Sequence, residues 1–112
     1  MKATEPSEKY LVSAIRKGDE ASFESLYMKY AAPLRKYSEM IVKDPDSAYE
    51  VVQDTFVSVW MNRRRLDPDR PVRNYLLRAV HNNSLRFLRK ENARRMREFY
   101  SAPDEDAVYQ EE

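Results

Sequence analysis

Tyr75, Arg78, Asn82, Arg86 and Arg89 recur at intervals of three and four residues. On a helix of 3.6 residues per turn they fall within about 80° of one another. One phenol ring, one amide and three guanidiniums on a single line are chemistry suited to nucleic acid. A guanidinium pairs with phosphate or a base edge, an amide both donates and accepts toward a base edge, and a ring stacks on an unpaired base. The surroundings are basic: twelve Lys and Arg side chains lie between Arg63 and Arg97, opposed by Asp67, Asp69 and Glu91. The chain as a whole carries a formal charge of only +1. The block is therefore a local anion-binding footprint, with a solvated helix face as the plain alternative.

A second group has different chemistry. Glu50, Gln53, Asp54, Val57 and Met61 share one side of a helical pattern whose other side carries Ala48, Val51, Val52, Thr55 and Val59, flanked by Phe56. Apolar residues set among Glu, Gln and Asp on an outward face suit a protein partner. Isolated exposed apolar residues are also ordinary on protein surfaces. Trp60 lies between the two sides.

Other chemistry is poorly represented. His81 is the only histidine and cysteine is absent, which argues against a His-based dyad, a thiolate metal site and disulfides. Gly18 is the only glycine, too few for a Gly-rich phosphate loop. The carboxylates sit on helix starts, on the Glu50–Asp54 face or in the C-terminal segment, with no evident acid–base pair. The reading is of a non-enzyme with no catalytic residue, metal site or cofactor. No signal-peptide h-region or membrane-length apolar run occurs, so a cytoplasmic protein without membrane insertion is expected.

Four helices must position these groups. Ser7 can cap a first helix with Tyr10, Leu11, Ala14 and Ile15 as its stripe, ended by Gly18. Asp19 caps a long second helix bearing Phe23, Leu26, Tyr27, Tyr30, Leu34, Tyr37 and Ile41. Pro33, inside it, lacks an N–H and crowds the Lys29 carbonyl, so a kink or brief break is expected there. Lys43-Asp44-Pro45 stops the pattern, and Asp46 or Ser47 caps the third helix. A loop from Arg63 to Arg70 is stiffened by Pro68 and Pro71, and Pro71 suits the first turn of the fourth helix. That helix has Leu76, Leu77, Val80, Ser84, Phe87 and Leu88 as its buried stripe. The fold expected is all-α: a compact bundle of about four helices, with the third and fourth forming a helical hairpin. A mobile lead over 1–6, one domain over 7–99 and an acidic linker or tail over 100–112 complete the organisation; after Arg97 there are six acids and no base.

Three stretches, in order, carry a family resemblance: GDEASFESLYMKY from Gly18, AYEVVQDTFVSVW from Ala48 and YLLRAVHNNSLRFLRK from Tyr75. Together they resemble region two of a bacterial RNA polymerase sigma factor of the extracytoplasmic-function group. The resemblance implies that Glu50, Gln53 and Asp54, with Val57 and Met61 beside them, dock on the β′ clamp helices of RNA polymerase core. It implies that the loop from Leu66 to Pro71 and the following helix recognise and melt the minus-ten promoter element and capture a flipped base of the non-template strand. Arg65, Arg70, Asn74, Tyr75, Arg78 and Asn82 are the residues expected there, with Arg86, Arg89 and Lys90 on the backbone. An anti-sigma factor is a further partner the resemblance allows.

The chain departs from the family pattern in three places. Tyr75 stands for the usual Trp, Ala79-Val80 for Ile-Ala, and Arg86 for an Asp or Asn. The second helical domain of a full member, which reads the minus-thirty-five element, is also absent, so an isolated region two is expected. A helical protein-interaction module, binding a regulator or itself without nucleic acid, is the competing reading.

Overall fold

The computed structural model describes residues 7–101. Four α-helices follow one another: α1 (Glu8–Arg16), α2 (Glu20–Val42), α3 (Pro45–Met61) and α4 (Val72–Ser101), with a 3-10 turn at Arg63–Arg65. No strand occurs among the described residues, and the fold is an all-α bundle. The lead at 1–6 and residues 102–112 of the acidic segment lie outside the described residues.

Each helix end has a local cause. The Ser7 hydroxyl accepts from the Tyr10 N–H at 3.2 Å and starts α1. Gly18, at φ 94°, ends it: the Asp19 N–H donates to the Ala14 carbonyl (3.1 Å) and the Gly18 N–H to the Ile15 carbonyl (2.8 Å). That pair of bonds is the Schellman motif, which requires the left-handed conformation glycine adopts without penalty. Asp19 caps α2 by accepting from the Ser22 N–H at 3.1 Å. The helix then runs through Pro33 without interruption, so no break occurs there. It stops at Lys43, whose φ of 64° is left-handed.

The cap of α3 is neither Asp46 nor Ser47 but Asp44, which accepts from the Ser47 N–H and hydroxyl at 2.8 Å each. Pro45 becomes the first residue of the helix. Its fixed φ and missing N–H forbid the continuation of α2 but suit a first turn. The same proline thus separates two helices and begins the second.

One core joins all four helices. Val12 and Ile15 from α1, Leu26 and Leu34 from α2, Val52, Phe56 and Val59 from α3, and Val72, Leu76 and Val80 from α4 are buried together. Burial of each such side chain contributes about 1.5–3 kcal/mol. The core differs from the expected stripes in several places. Tyr10 is 64% exposed and Val12, at 1%, takes its place. Phe87 and Leu88 are only half-buried, because the bundle ends near them while α4 continues. Leu66 is 1% exposed, so this loop residue is part of the core. Between α2 and α4, Ser38 and Ser84 are fully buried with their hydroxyls hydrogen-bonded at 2.8 Å. Small side chains let the two helices approach, and the mutual bond removes the cost of burying two hydroxyls.

Candidate nucleic-acid interface

Where α4 begins, the loop and the helix enclose a cavity of about 210 Å³. Arg65, Asp67 and Arg70 line it from the loop, and Asn74, Tyr75 and Arg78 from the first two turns of α4. Leu66 and Val72 form its floor and belong to the core at the same time. Tyr75 is half-buried: one side packs on the core cluster while the ring also lines the cavity. Five residues singled out from the sequence, Arg65, Arg70, Asn74, Tyr75 and Arg78, are thereby brought around one concavity.

The remaining four continue along α4. Asn82, Arg86, Arg89 and Lys90 are exposed and lie beyond the cavity. From Tyr75 to Arg89 the stripe spans about 21 Å of helix axis. Arg86 is held in place, since its Nη1 donates to Asn83 Oδ1 (2.7 Å) and Asn83 in turn donates to Thr55 Oγ1 (2.9 Å). Among the described residues, Arg65, Arg78, Arg89 and Lys90 have no carboxylate partner, while Arg70 meets Asp67 at 3.6 Å. Exposed cations without an internal counter-ion are available to an external anion.

On α3 the second group divides. Glu50, Asp54, Val57 and Met61 are exposed, with Val57 at 61% and Met61 at 73%. Gln53 is half-buried, and its Oε1 accepts from the Tyr27 hydroxyl. It therefore faces α2 more than solvent, a contact between residues 26 positions apart that helical spacing alone does not reveal. Beside it runs an open apolar groove of about 450 Å³, lined by Phe23, Tyr27, Phe56, Val57 and Trp60 with Glu20 and Glu24 at the rim. Trp60 packs on Phe23 with ring centroids 5.1 Å apart and carries the Arg63 guanidinium over its face at 4.5 Å. The Arg63 Nε is buried there without a hydrogen-bond partner among the described residues, which the ring face offsets in part.

His81 is half-buried, with Nδ1 hydrogen-bonded to the Tyr37 hydroxyl at 2.7 Å. Its place at the α2–α4 boundary is that of a packing residue. No cluster of metal-ligating side chains occurs among the described residues, and no described helix is long and apolar enough to cross a membrane. Reasoning from the sequence missed Arg16, whose guanidinium reaches the carbonyls of Arg64 and Leu66. Its only sequence signal was a basic residue in the last turn of α1.

Comparison with known proteins bears on both surfaces. Residues 26–94, which include all of α3, the loop and the stripe on α4, match the family described as sigma-70 region 2. Over 95 residues the chain is 30% identical to the RNA polymerase sigma factor CnrH of Cupriavidus metallidurans. That alignment covers 85% of this chain and 48% of the relative, so the chain spans about half that protein's length. No solved structure gives a significant match. The chain belongs to the sigma-70 region 2 family.

Proposed function

We propose that this domain recognises and melts the minus-ten promoter element while docked on the β′ clamp helices of RNA polymerase, in the manner of the extracytoplasmic-function group. The cavity at the start of α4 carries the reading. It sets a ring, an amide and three guanidiniums around a space on the scale of one base. Tyr75 would stack on a base turned out of the non-template strand, Asn74 and Arg78 would meet its edge, and Arg65 and Arg70 the flanking phosphates. Asn82, Arg86, Arg89 and Lys90 would carry the strand onward along α4. On the other side of the same core, Glu50 and Asp54 with Val57 and Met61 offer a charged and apolar face to a coiled-coil partner. Gln53 would serve this face mainly through its edge. The setting is the cytoplasm, where polymerase and promoter are found.

A module that binds only protein has the apolar groove beside Trp60 in its favour. It leaves the cavity and the unpaired guanidiniums without a role.

The test is a binding scan of the domain against a library of single-stranded minus-ten heptamers by fluorescence anisotropy at several salt concentrations. The expected result is a preferred heptamer and an affinity that falls with salt, with a slope of roughly −0.7 for each phosphate neutralised. Equal affinity for all heptamers would remove base reading. Affinity independent of salt would remove the basic stripe from the interface.

A further inference from the structure

A loop that receives a base binds more tightly if its shape exists beforehand, because each residue ordered on binding costs affinity. The loop from Arg63 to Pro71 has limited means of its own. Its internal backbone bonds run from the Arg65 N–H to the Asn62 carbonyl (2.9 Å), the Leu66 N–H to the Arg63 carbonyl (3.1 Å) and the Arg70 N–H to the Asp67 carbonyl (3.1 Å). The carbonyls of Arg64 and Leu66 both accept from one nitrogen, Nη1 of Arg16, with the Arg64 bond at 2.8 Å. Arg16 lies 48 and 50 residues earlier in the chain, in the last turn of α1.

Two further contacts set α1 against the same segment. At Gly18, just past the helix end, a Cβ would stand 3.7 Å from the Arg63 guanidinium, and Lys9 meets Asp69 at 3.2 Å. The latter pair is well exposed and weak. The charge-assisted bonds of Arg16 are the strong ones, and Leu66 is anchored on its other side by burial in the core. We infer that Arg16 is the positioning residue of the cavity: from α1 it grips the backbone on either side of Arg65 and holds the loop in the shape that accepts a base, without itself touching nucleic acid. Residue 16 lies outside the 26–94 stretch that the family match covers. The inference rests on the base-capture reading above.

The experiment compares the wild-type chain with Arg16→Ala and Arg16→Lys. Amide hydrogen exchange is read across the loop, and binding is measured to the preferred heptamer and to the same strand made abasic at the captured position. Exchange at the Leu66 and Arg70 amides should quicken in Arg16→Ala. Affinity for the intact strand should fall about tenfold, the weight of one strong hydrogen bond to a charged group. Affinity for the abasic strand should change by less than about twofold, with the salt slope unaltered. Arg16→Lys keeps the charge but not the planar fork, and should fall between. If Arg16→Ala does not fold, Arg16→Lys carries the test. Unchanged loop exchange would overturn the inference. So would an equal loss on both strands with the salt slope reduced by about one contact, which would make Arg16 a phosphate ligand. Failure of the base-capture reading looks different: Tyr75→Ala would then bind the intact strand as well as wild type does, whatever Arg16 does to the loop, and both proposals would fall.

Discussion

Asn82 and Arg89 sit on the same exposed line of α4 but can do different things. An amide donates and accepts, so it can tell one base edge from another. A guanidinium only donates and serves any phosphate. Asn82→Ala is expected to weaken binding to the preferred strand by about 1–3 kcal/mol and to flatten the preference among bases. Arg89→Ala should weaken all sequences about equally and lower the salt slope by about one contact. Competition titrations over the heptamer library separate the two. An Asn82→Ala protein that keeps its base preference would confine sequence reading to the cavity. Tyr75 is the residue where stability and function meet, since its ring both packs on the core and lines the cavity. Melting curves must accompany any binding loss at that position. Arg86 is oriented through Asn83 by Thr55 of α3.

Helix α3 has two faces, one buried and one exposed. Ala48, Val51, Val52, Thr55, Phe56 and Val59 are all buried, while Glu50, Asp54, Val57 and Met61 are exposed. Asp54 can therefore be changed without disturbing the core. Asp54→Arg should abolish binding to the β′ clamp helices, because one like-charge clash in a charged interface costs several kcal/mol. Circular dichroism should show unchanged helicity. A calorimetric titration with unaltered affinity would exclude this face from the interface. Helix α4 is divided along its length instead. Its first half is half core and half stripe, whereas from Arg89 to Tyr100 every residue except Glu91 is exposed. The distal half is held by local pairs, Arg94 with Glu91 at 2.8 Å and with Glu98 at 2.6 Å. Such pairs give weak support that salt screens.

At the scale of the whole bundle, α1 is tied to α2 by a small polar cluster. Glu8 pairs with Lys29 at 2.6 Å and accepts from the Tyr30 hydroxyl. Burial pushes the Glu8 carboxyl up, but hydrogen bonds from Lys29 and Tyr30 and the charge of Lys29 together hold it below its ordinary value of 4.5. Burial, then the bond to Glu8, push the Tyr30 phenol up from 10.0 to about 12. A carboxylate whose pKa is depressed by folding stabilises the fold above the unfolded value. That contribution disappears as pH falls through the folded value. A phenol raised by folding stabilises below its unfolded value, and the contribution is lost as pH climbs toward 12. Glu8→Gln should thus cost roughly 0.5 kcal/mol near neutrality, the scale of a partly exposed pair. Its melting temperature should converge on that of wild type as pH drops below about 4.5. A constant difference from pH 7 down to pH 3, two trial conditions on either side of roughly that value, would show that charge at Glu8 plays no part.

Much of this architecture is local and could be read residue by residue. The inner face of α3 was legible because six apolar or small side chains repeat at helical period and bury together. The end of α1 was legible because glycine adopts φ 94° without the penalty other residues meet. The basic stripe, including Tyr75 and Arg78 of the cavity, was legible for the same reason of period, and Arg65, Arg70 and Asn74 through the family resemblance. What escaped was non-local or a choice between equal local options. Asp44, Asp46 and Ser47 can each cap a helix, and only the backbone turn at Lys43 selected Asp44. Leu66 sits among Arg, Asp and Pro residues and reads as loop, yet packing of four helices left a space that it fills. Gln53 reads as an outward residue until Tyr27 of α2 is placed beside it. Arg16 reads as a solvated helix end until the chain returns 48 residues later with two carbonyls in reach. Period and capping chemistry are properties of neighbouring residues and are present in the sequence as such. Which side chain meets which backbone across the bundle depends on the docking of whole helices, and only the tertiary structure decided it.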